Sequence, residues 1–460
     1  MNSLDASARA AVPSARSAGT WLPRWEPEDG EFWSQGGASH AWRTLVVTTF
    51  CLTLSFATWF VVSALVVRLP AIGFKYDTMQ LFWLAAMPGL AGGTLRIVHS
   101  FLIPIYGTRG VLTVSNWIKL VPCVGLGMAV SNPETPYWVF LTLAFLAGLG
   151  GGDFSSFMPS TSLFFPKRLQ GTALGIQAGI GNFGVSLAQF VTPWIIGFAI
   201  AGALGGPQVF SKGGVTKDVW LQNATFWYVP LLAIGGILSW SMLRSVPVRA
   251  SFREQLDIFK DRHTWFCTVT YVMTFGSFSG FSAAFPLMIM SVYGKFPDAP
   301  DPLAFAFLGP LIGSAARVLF GFVADRTGGG ILTQLSGAGL IACCALLVFG
   351  GYLTPTSLEP FSGFVGIMLL IFLFAGIGNA STFRQFPIVF KHSPRQGAQV
   401  LGWTAAVAAY GPFLFSSAIG ASIAATGSSV PFFWVAAGFY VVASAINWWF
   451  YVRNGCERPS

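Results

Sequence analysis

Two arginines interrupt long apolar stretches at matching places in the two halves of this chain. Arg96 lies in LFWLAAMPGLAGGTLRIVHSFLIPIYG and Arg317 in FAFLGPLIGSAARVLFGFVADRTG. A guanidinium stays ionised at any physiological pH, and placing it at mid-bilayer costs from about 3 to more than 10 kcal/mol. Such a residue persists where it faces a polar cavity and meets an anion. A facing pair of such arginines at mid-membrane points to an anion pathway. Asp153 is the carboxylate deep within a span, since Asp77 and Asp325 fall at span ends or loops. It would pair with an arginine, with Arg384 as a partner where spans four and ten meet, or it would carry a proton. His99, one turn after Arg96, is either a polar packing residue or a second proton site. Asn182 stands among Gly175, Gly179, Gly181 and Gly184. Small residues let membrane helices approach and slide, while the amide needs a partner, either an oxyanion or a neighbouring helix.

The elements that position these residues must be membrane spans. Hydrophobic residues make up 54% of the 460 and charged residues 9%, with a mean hydropathy of +0.64. Apolar runs of about 20 residues, enough to span a bilayer, recur roughly twelve times from near Arg43 to near Val452. The net charge of +9 does not form a basic patch with aromatic platforms, which excludes a nucleic-acid partner. The cations collect in alternate loops: Arg109, Lys167 with Arg168, Arg244 to Arg262, Arg326, Lys391 with Arg395, and Arg453 with Arg458. The intervening loops hold chiefly Arg68, Lys75, Lys212, Lys217 and Lys295. By the positive-inside rule both termini are expected in the cytoplasm. Because the first 42 residues are polar and hold no early apolar run, no cleavable signal peptide is expected. Six cysteines and four histidines show no metal-ligand spacing. No nucleotide loop or nucleophile–base constellation is present, so neither an enzyme nor a cofactor is expected.

The polar segment from Arg244 to His263 divides the spans into two sixes. RIVHSFLIPIYG, opening on Arg96, parallels RVLFGFVADRTG, opening on Arg317. AGLGGGDF with PKRLQG parallels AGIGNASTF with SPRQG, and TALGIQAGIGNFG, ending at Gly184, parallels QVLGWTAAVAAYG, which contains Gly402 and ends at Gly411. Paired six-helix halves that bind substrate between them are a common design of secondary transporters. The expected division is a tail over 1–42, a first half over 43–244, a central loop over 245–262, a second half over 263–452 and a tail over 453–460. A channel needs no rocking halves, and a sensor would carry a soluble output domain that is not visible here.

Gly321-x-x-x-Asp325-Arg326-x-Gly328, after the eighth span, resembles the cytoplasmic loop motif of the major facilitator superfamily. The first-half equivalent, Gly107 to Gly110, lacks the acid. LFWLAAMPGLAGGTLR, SLFFPKRLQGTALGIQAGIGNFGVS, GIGNASTFRQFP and GWTAAVAAYG resemble the nitrate/nitrite porters (NarK-type) of that superfamily, as does the amphipathic lead-in WEPEDGEFW. The resemblance covers nearly the whole chain. It implies an all-α membrane fold of twelve helices in two pseudo-symmetric halves. It also implies an anion site of Arg96 and Arg317, with Phe154 and Phe383 sandwiching the planar anion and with Asn182 and Tyr271 beside it. The implied function is exchange of nitrate for nitrite by alternating access, in a bacterial inner membrane and as a monomer surrounded by lipid. Three departures bear on coupling. Asp153 stands where exchangers of the family have a small residue. Arg384 after Phe383 looks like some proton-coupled members, and the eleventh span ends in FLFSSAIG without the lysine common among relatives. Nitrate–proton symport through Asp153 or His99 is the alternative. The segment Trp25 to Trp33 is expected along the membrane surface, and the rest of the first 42 residues is expected to be mobile.

Overall fold

A computed structural model describes residues 20–200, 204–212, 215–246 and 253–460. The start of the expected N-terminal tail and part of the central loop lie outside the described residues. Among the described residues, eleven helices are long and apolar enough to cross a membrane: α1 (Gly30–Leu65), α2 (Thr78–His99), α3 (Ile105–Ser131), α4 (Tyr137–Phe164), α6 (Asn223–Met242), α7 (Arg262–Tyr293), α8 (Leu303–Thr327), α9 (Gly329–Phe349), α10 (Phe361–Val389), α11 (Arg395–Thr426) and α12 (Val430–Val452). The twelfth, α5 (Lys167–Ile195), is as long but less apolar. It begins with Lys167 and Arg168 and carries Gln177, Asn182 and Gln189, all three fully buried. Its polar side faces protein, so the helix spans without an apolar circumference.

Local chemistry sets the bends. Asp77 caps α2, accepting from Gln80 N at 2.7 Å while Gln80 Oε1 accepts from Asp77 N at 3.0 Å, a reciprocal capping box. Helix α4 breaks within Gly148–Asp153. There the backbone presses on α1 and α2: a Cβ at Gly150 would lie 2.2 Å from Ser55 O, and one at Gly151 2.7 Å from the Trp59 ring. Helix α7 widens into a π-helical turn at Val272–Gly276, directly after Tyr271. Such turns leave backbone groups and side chains re-aimed and are frequent at functional sites.

Both described ends of the chain lie on one face. Trp21 pairs with Ser245 after α6, and Ser460 O accepts from Gly330 N at the start of α9. The segment Trp25–Trp33 is folded onto protein: Trp25 Nε1 donates to Leu163 O at 3.1 Å, and Trp33 packs against Phe165. Glu28 accepts from Lys167 N at 2.9 Å. The aromatic side expected to meet lipid therefore clasps the α4–α5 turn. On the opposite face a hairpin, β1 (Gln208–Lys212) and β2 (Val215–Val219), pairs antiparallel with Gln208 opposite Val219.

The two halves meet along α2 and α11, where Thr94 and Tyr410 hydroxyls lie 2.8 Å apart, and along α5 and α8. Toward the face opposite the termini the seam is closed. Arg68 pairs with Asp301 at 2.6 Å, Gln189 Nε2 donates to Ser282 O at 2.7 Å, and Ser186 Oγ donates to Phe307 O at 2.9 Å. Nearer the terminal face, a Cβ at Gly171, Gly175 or Gly402 would meet nothing within 4 Å.

Candidate anion site between the halves

Arg96 and Arg317 are both buried, and a chain of rings joins them. The Arg96 guanidinium carbon sits 4.8 Å from the Phe154 ring centre, 5.3 Å from Trp59 and 5.2 Å from Phe275 of the other half. Phe275 stacks on Tyr271 at 5.6 Å, and Tyr271 lies 5.7 Å from Phe383. Phe383 in turn lies under Arg317 at 4.7 Å. Each phenylalanine thus faces the arginine of its own half. Rings of this kind stabilise a cation electrostatically and strip water from around it.

The arginines differ in how much of the fork is already engaged. Arg96 Nε donates to Gly151 O at 2.8 Å and Nη1 to Ala405 O at 2.7 Å, which leaves Nη2 without a partner. Arg317 Nη1 and Nη2 make no well-formed hydrogen bond, although the Tyr271 hydroxyl lies beside the guanidinium. Asn182, fully buried, has no partner at either amide atom, and the Tyr271 hydroxyl makes no well-formed hydrogen bond. Unbonded donors buried at this density are costly to a fold. An anion with acceptors on several sides satisfies them together.

Asp153 pairs with a lysine, and neither Arg96 nor Arg384 is its partner. Lys119 Nζ of α3 lies 2.6 Å from its Oδ2; Ser55 Oγ donates to the same oxygen at 2.6 Å, and Ser115 Oγ donates to Oδ1. Both members of the ion pair are fully buried. The expected Asp153–Arg384 pair does not form, because Arg384 points out of α10 toward the terminal face, is 46% exposed and lies 3.4 Å from Asp325. Asp325 thereby links the ends of α8 and α10, while Arg326 is exposed. His99 joins the Asp153 cluster from α2: its Nδ1 is 3.0 Å from Ser156 Oγ and 3.7 Å from Asp153.

The glycines divide into two groups. At Gly184 a Cβ would stand 2.2 Å from Thr53 O, at Gly411 2.3 Å from Gly276 O, at Gly179 2.5 Å from Val318 of the other half and at Gly181 2.9 Å from Leu52. Gly175 and Gly402 border open space instead. Sequence reasoning missed Lys119, whose signal was a lone lysine inside VSNWIKLVPCVG. Trp59 and Phe275 it had no means of separating from 44 phenylalanines and 17 tryptophans. Among the described residues no group of three or more histidines, cysteines or carboxylates could hold a metal.

Comparison with known proteins identifies the family of the chain. Residues 45–391 match the family model of the Major Facilitator Superfamily. A Thermus thermophilus protein described as "Probable nitrate/nitrite antiporter NarK2" is 61% identical over 443 residues, covering 96% of this chain and 98% of its own. The "Nitrate/nitrite transporter NarU" of Escherichia coli (strain K12) is 37% identical over 96% of this chain and 99% of its own. Among solved structures, a bacterial homologue of the human lysosomal transporter Spinster, inward-facing and unoccupied, aligns with a TM-score of 0.60 at 15% identity, over 88% of this chain and 97% of that one. The nucleoside transporter NupG aligns with a TM-score of 0.59 at 13% identity, over 89% of this chain and 98% of that one. These last two share the fold.

Proposed function

The chain belongs to the major facilitator superfamily, among its nitrate/nitrite porters, and from that premise we propose that it exchanges nitrate for nitrite across the bacterial inner membrane by alternating access. The observation that carries this reading is the pair of buried guanidiniums with unspent donors, one from each half, joined through the Phe275–Tyr271–Phe383 rings. Nitrate and nitrite are small planar monoanions with acceptor oxygens in one plane. The free Arg317 fork and Arg96 Nη2 would take those oxygens, Asn182 and Tyr271 would add neutral donors, and Phe154 and Phe383 would keep water out. Closure of both faces over an empty site leaves two uncompensated cations in a low-dielectric interior. An anion lowers that cost, so the loaded protein rocks and the empty one stalls. Exchange follows without a proton.

The Asp153 cluster supports exchange over symport. A carboxylate that accepts from a lysine and two serines has its charge balanced and its acceptors occupied, so a proton would have to displace a buried ion pair. The loops on the terminal face carry Arg109, Lys167, Arg168, Arg326 and Arg395, which by the positive-inside rule makes that face cytoplasmic. The closed Arg68–Asp301 seam is then periplasmic. Each monomer, surrounded by lipid, holds one complete pathway.

Proteoliposomes of purified protein, loaded with nitrite and a pH-sensitive dye and placed in nitrate, test this function. Nitrate entry that needs internal nitrite, survives an uncoupler and leaves internal pH unchanged is the expected result. Entry into empty vesicles with internal acidification, abolished by Asp153→Asn, would replace exchange by symport.

A further inference from the structure

A second amide stands one helical turn before Phe383, the ring that lies under Arg317. Asn379 of α10 is fully buried, and neither its Oδ1 nor its Nδ2 has a hydrogen-bond partner. Helix geometry fixes the direction of its side chain. Residues seven before, four after and seven after Asn379 share its face, and these are Phe372, Phe383 and Phe386. Phe372 packs against Phe278 of α7 at 6.1 Å. Phe383 and Phe386 meet Tyr271 at 5.7 and 6.1 Å, and Phe383 lies under Arg317. Asn379 therefore looks into the space between the widened turn of α7 and the Ser314–Arg317 side of α8.

The other polar groups on that space are also unspent. Arg317 Nη1 and Nη2, the Tyr271 hydroxyl and Ser314 Oγ, one turn before Arg317, all lack well-formed hydrogen bonds. The set is rich in donors and poor in acceptors, since a guanidinium only donates. Buried side-chain polar groups ordinarily find partners. Together these groups offer more donors than the hydroxyl and amide oxygens among them can accept, and an oxyanion brings the further acceptors.

The internal repeat gives an independent reason. Asn182 of TALGIQAGIGNFG aligns with Ala409 in QVLGWTAAVAAYG, so the C-terminal half has no amide at the repeated position. Its amide comes instead from α10, where AGIGN places Asn379 opposite Gly151 in AGLGG of α4. In α4 that backbone position serves Arg96 directly, through the carbonyl of Gly151. Each half thus brings one arginine, one phenylalanine and one buried asparagine unpartnered at both amide atoms, with the asparagines on non-equivalent helices and Gln177 of α5 a further unpartnered amide in the first half.

We propose that Asn379 is a further anion-binding residue of this transporter, donating its amide N–H to a nitrate oxygen from the C-terminal half. The assignment rests on the exchange function proposed above. The test compares wild type and Asn379→Ala, both full-length, in nitrite-loaded proteoliposomes, and measures the nitrate-induced rise in melting temperature of each purified protein. In the variant the KM for nitrate rises about tenfold, as loss of one hydrogen bond to a charged ligand requires, its maximal rate stays within about threefold, and the nitrate-induced shift disappears at concentrations that stabilise wild type. A merely structural asparagine would lower the melting temperature and leave both the KM and the shift intact, which would overturn the assignment. If Asn379→Ala does not fold, Asn379→Leu, of matching size and without polar atoms, decides by the same two readings. A wild-type protein that exchanges while the variant matches it removes the assignment alone. A wild type that does not exchange nitrate for nitrite removes the exchange function and the assignment with it.

Discussion

The N-terminal and C-terminal halves carry the same arginine above the same phenylalanine and support them by different means. In the N-terminal half Arg96 is anchored twice to backbone, to Gly151 of its own half and Ala405 of the other, and a buried ion pair, Lys119 with Asp153, stands behind Phe154. In the C-terminal half Arg317 is unanchored at both terminal nitrogens. Behind Phe383 is an uncharged network: Thr333 Oγ1 donates to Gln385 Oε1 at 2.9 Å, Gln385 Nε2 to Asn447 Oδ1 at 2.8 Å, and Asn447 Nδ2 to Gly330 O at 3.0 Å. One half presents a fixed charge and the other a fork free to follow its ligand. A site that must hold an anion while the halves rock is served by that asymmetry, because only one side has to adjust.

The sharpest way to break the comparison is to remove the forks one at a time. Arg317→Lys and Arg96→Lys both lower nitrate exchange, by about a hundredfold or more, since a point charge cannot replace bidentate donation. Thermal melts separate the two. Arg317→Lys leaves the melting temperature close to wild type, while Arg96→Lys strands two backbone carbonyls and costs about 1–3 kcal/mol. Equal stability losses would mean that the anchoring contrast is not real.

The supports behind the rings come next. Lys119→Met leaves Asp153 buried and uncompensated and destabilises by about 3–5 kcal/mol. The double variant Lys119→Met with Asp153→Asn recovers most of that loss, and the non-additivity is the signature of a coupled pair. Gln385→Leu in the other half costs less, about 1–3 kcal/mol, because it unpairs neutral groups only. Denaturation monitored in detergent ranks the three.

Smaller effects come from the glycines of α5. Gly184→Ala pushes a Cβ toward Thr53 O, where only 2.2 Å is available, and costs about 1–3 kcal/mol. Gly175→Ala faces open space and changes stability by less than about 0.5 kcal/mol. If it slows exchange all the same, α5 closes against its neighbours in the alternate state.

The smallest effect tests the loop that joins the halves. Hydrogen bonding from the Arg395 guanidinium at the start of α11 holds the Asp257 carboxyl below its ordinary range. A depressed folded pKa stabilises above the unfolded value, so this contact is intact at pH 7 and is lost as the pH falls below about 4. Asp257→Asn costs a few tenths of a kcal/mol at neutral pH, as expected for an exposed pair, and the difference from wild type vanishes in acid.

How much of this was legible in the chain varies with the physics involved. The twelve spans, the two halves and the matched arginines could be read because a bilayer imposes length and polarity locally. The α4 break falls on GLGGGD, which in the sequence stood out only as a landmark of the repeat. The partner of Asp153 was not legible. Lys119 lies 34 residues before it in the chain, and no periodicity within one helix reveals which face of α3 turns to α4. The expected pairing with Arg384 failed because that side chain leaves α10 toward the terminal face, where water and Asp325 satisfy it. The lead-in Trp25–Trp33 had the amphipathic pattern of a surface helix, yet apolar rings from the α4–α5 turn were available to cover it.

By itself the sequence determined the class of solvent, the number of crossings, the repeat and the charge that demands an anion, because each follows from the cost of placing particular side chains in hydrocarbon. Only the tertiary structure decided which donors remain free, that Arg96 is tied down while Arg317 is not, and that the buried carboxylate already has its cation. Those outcomes depend on how helices far apart in the chain are rotated against one another. A hydrogen bond is decided over about 3 Å, a distance that helix rotation sets and composition does not.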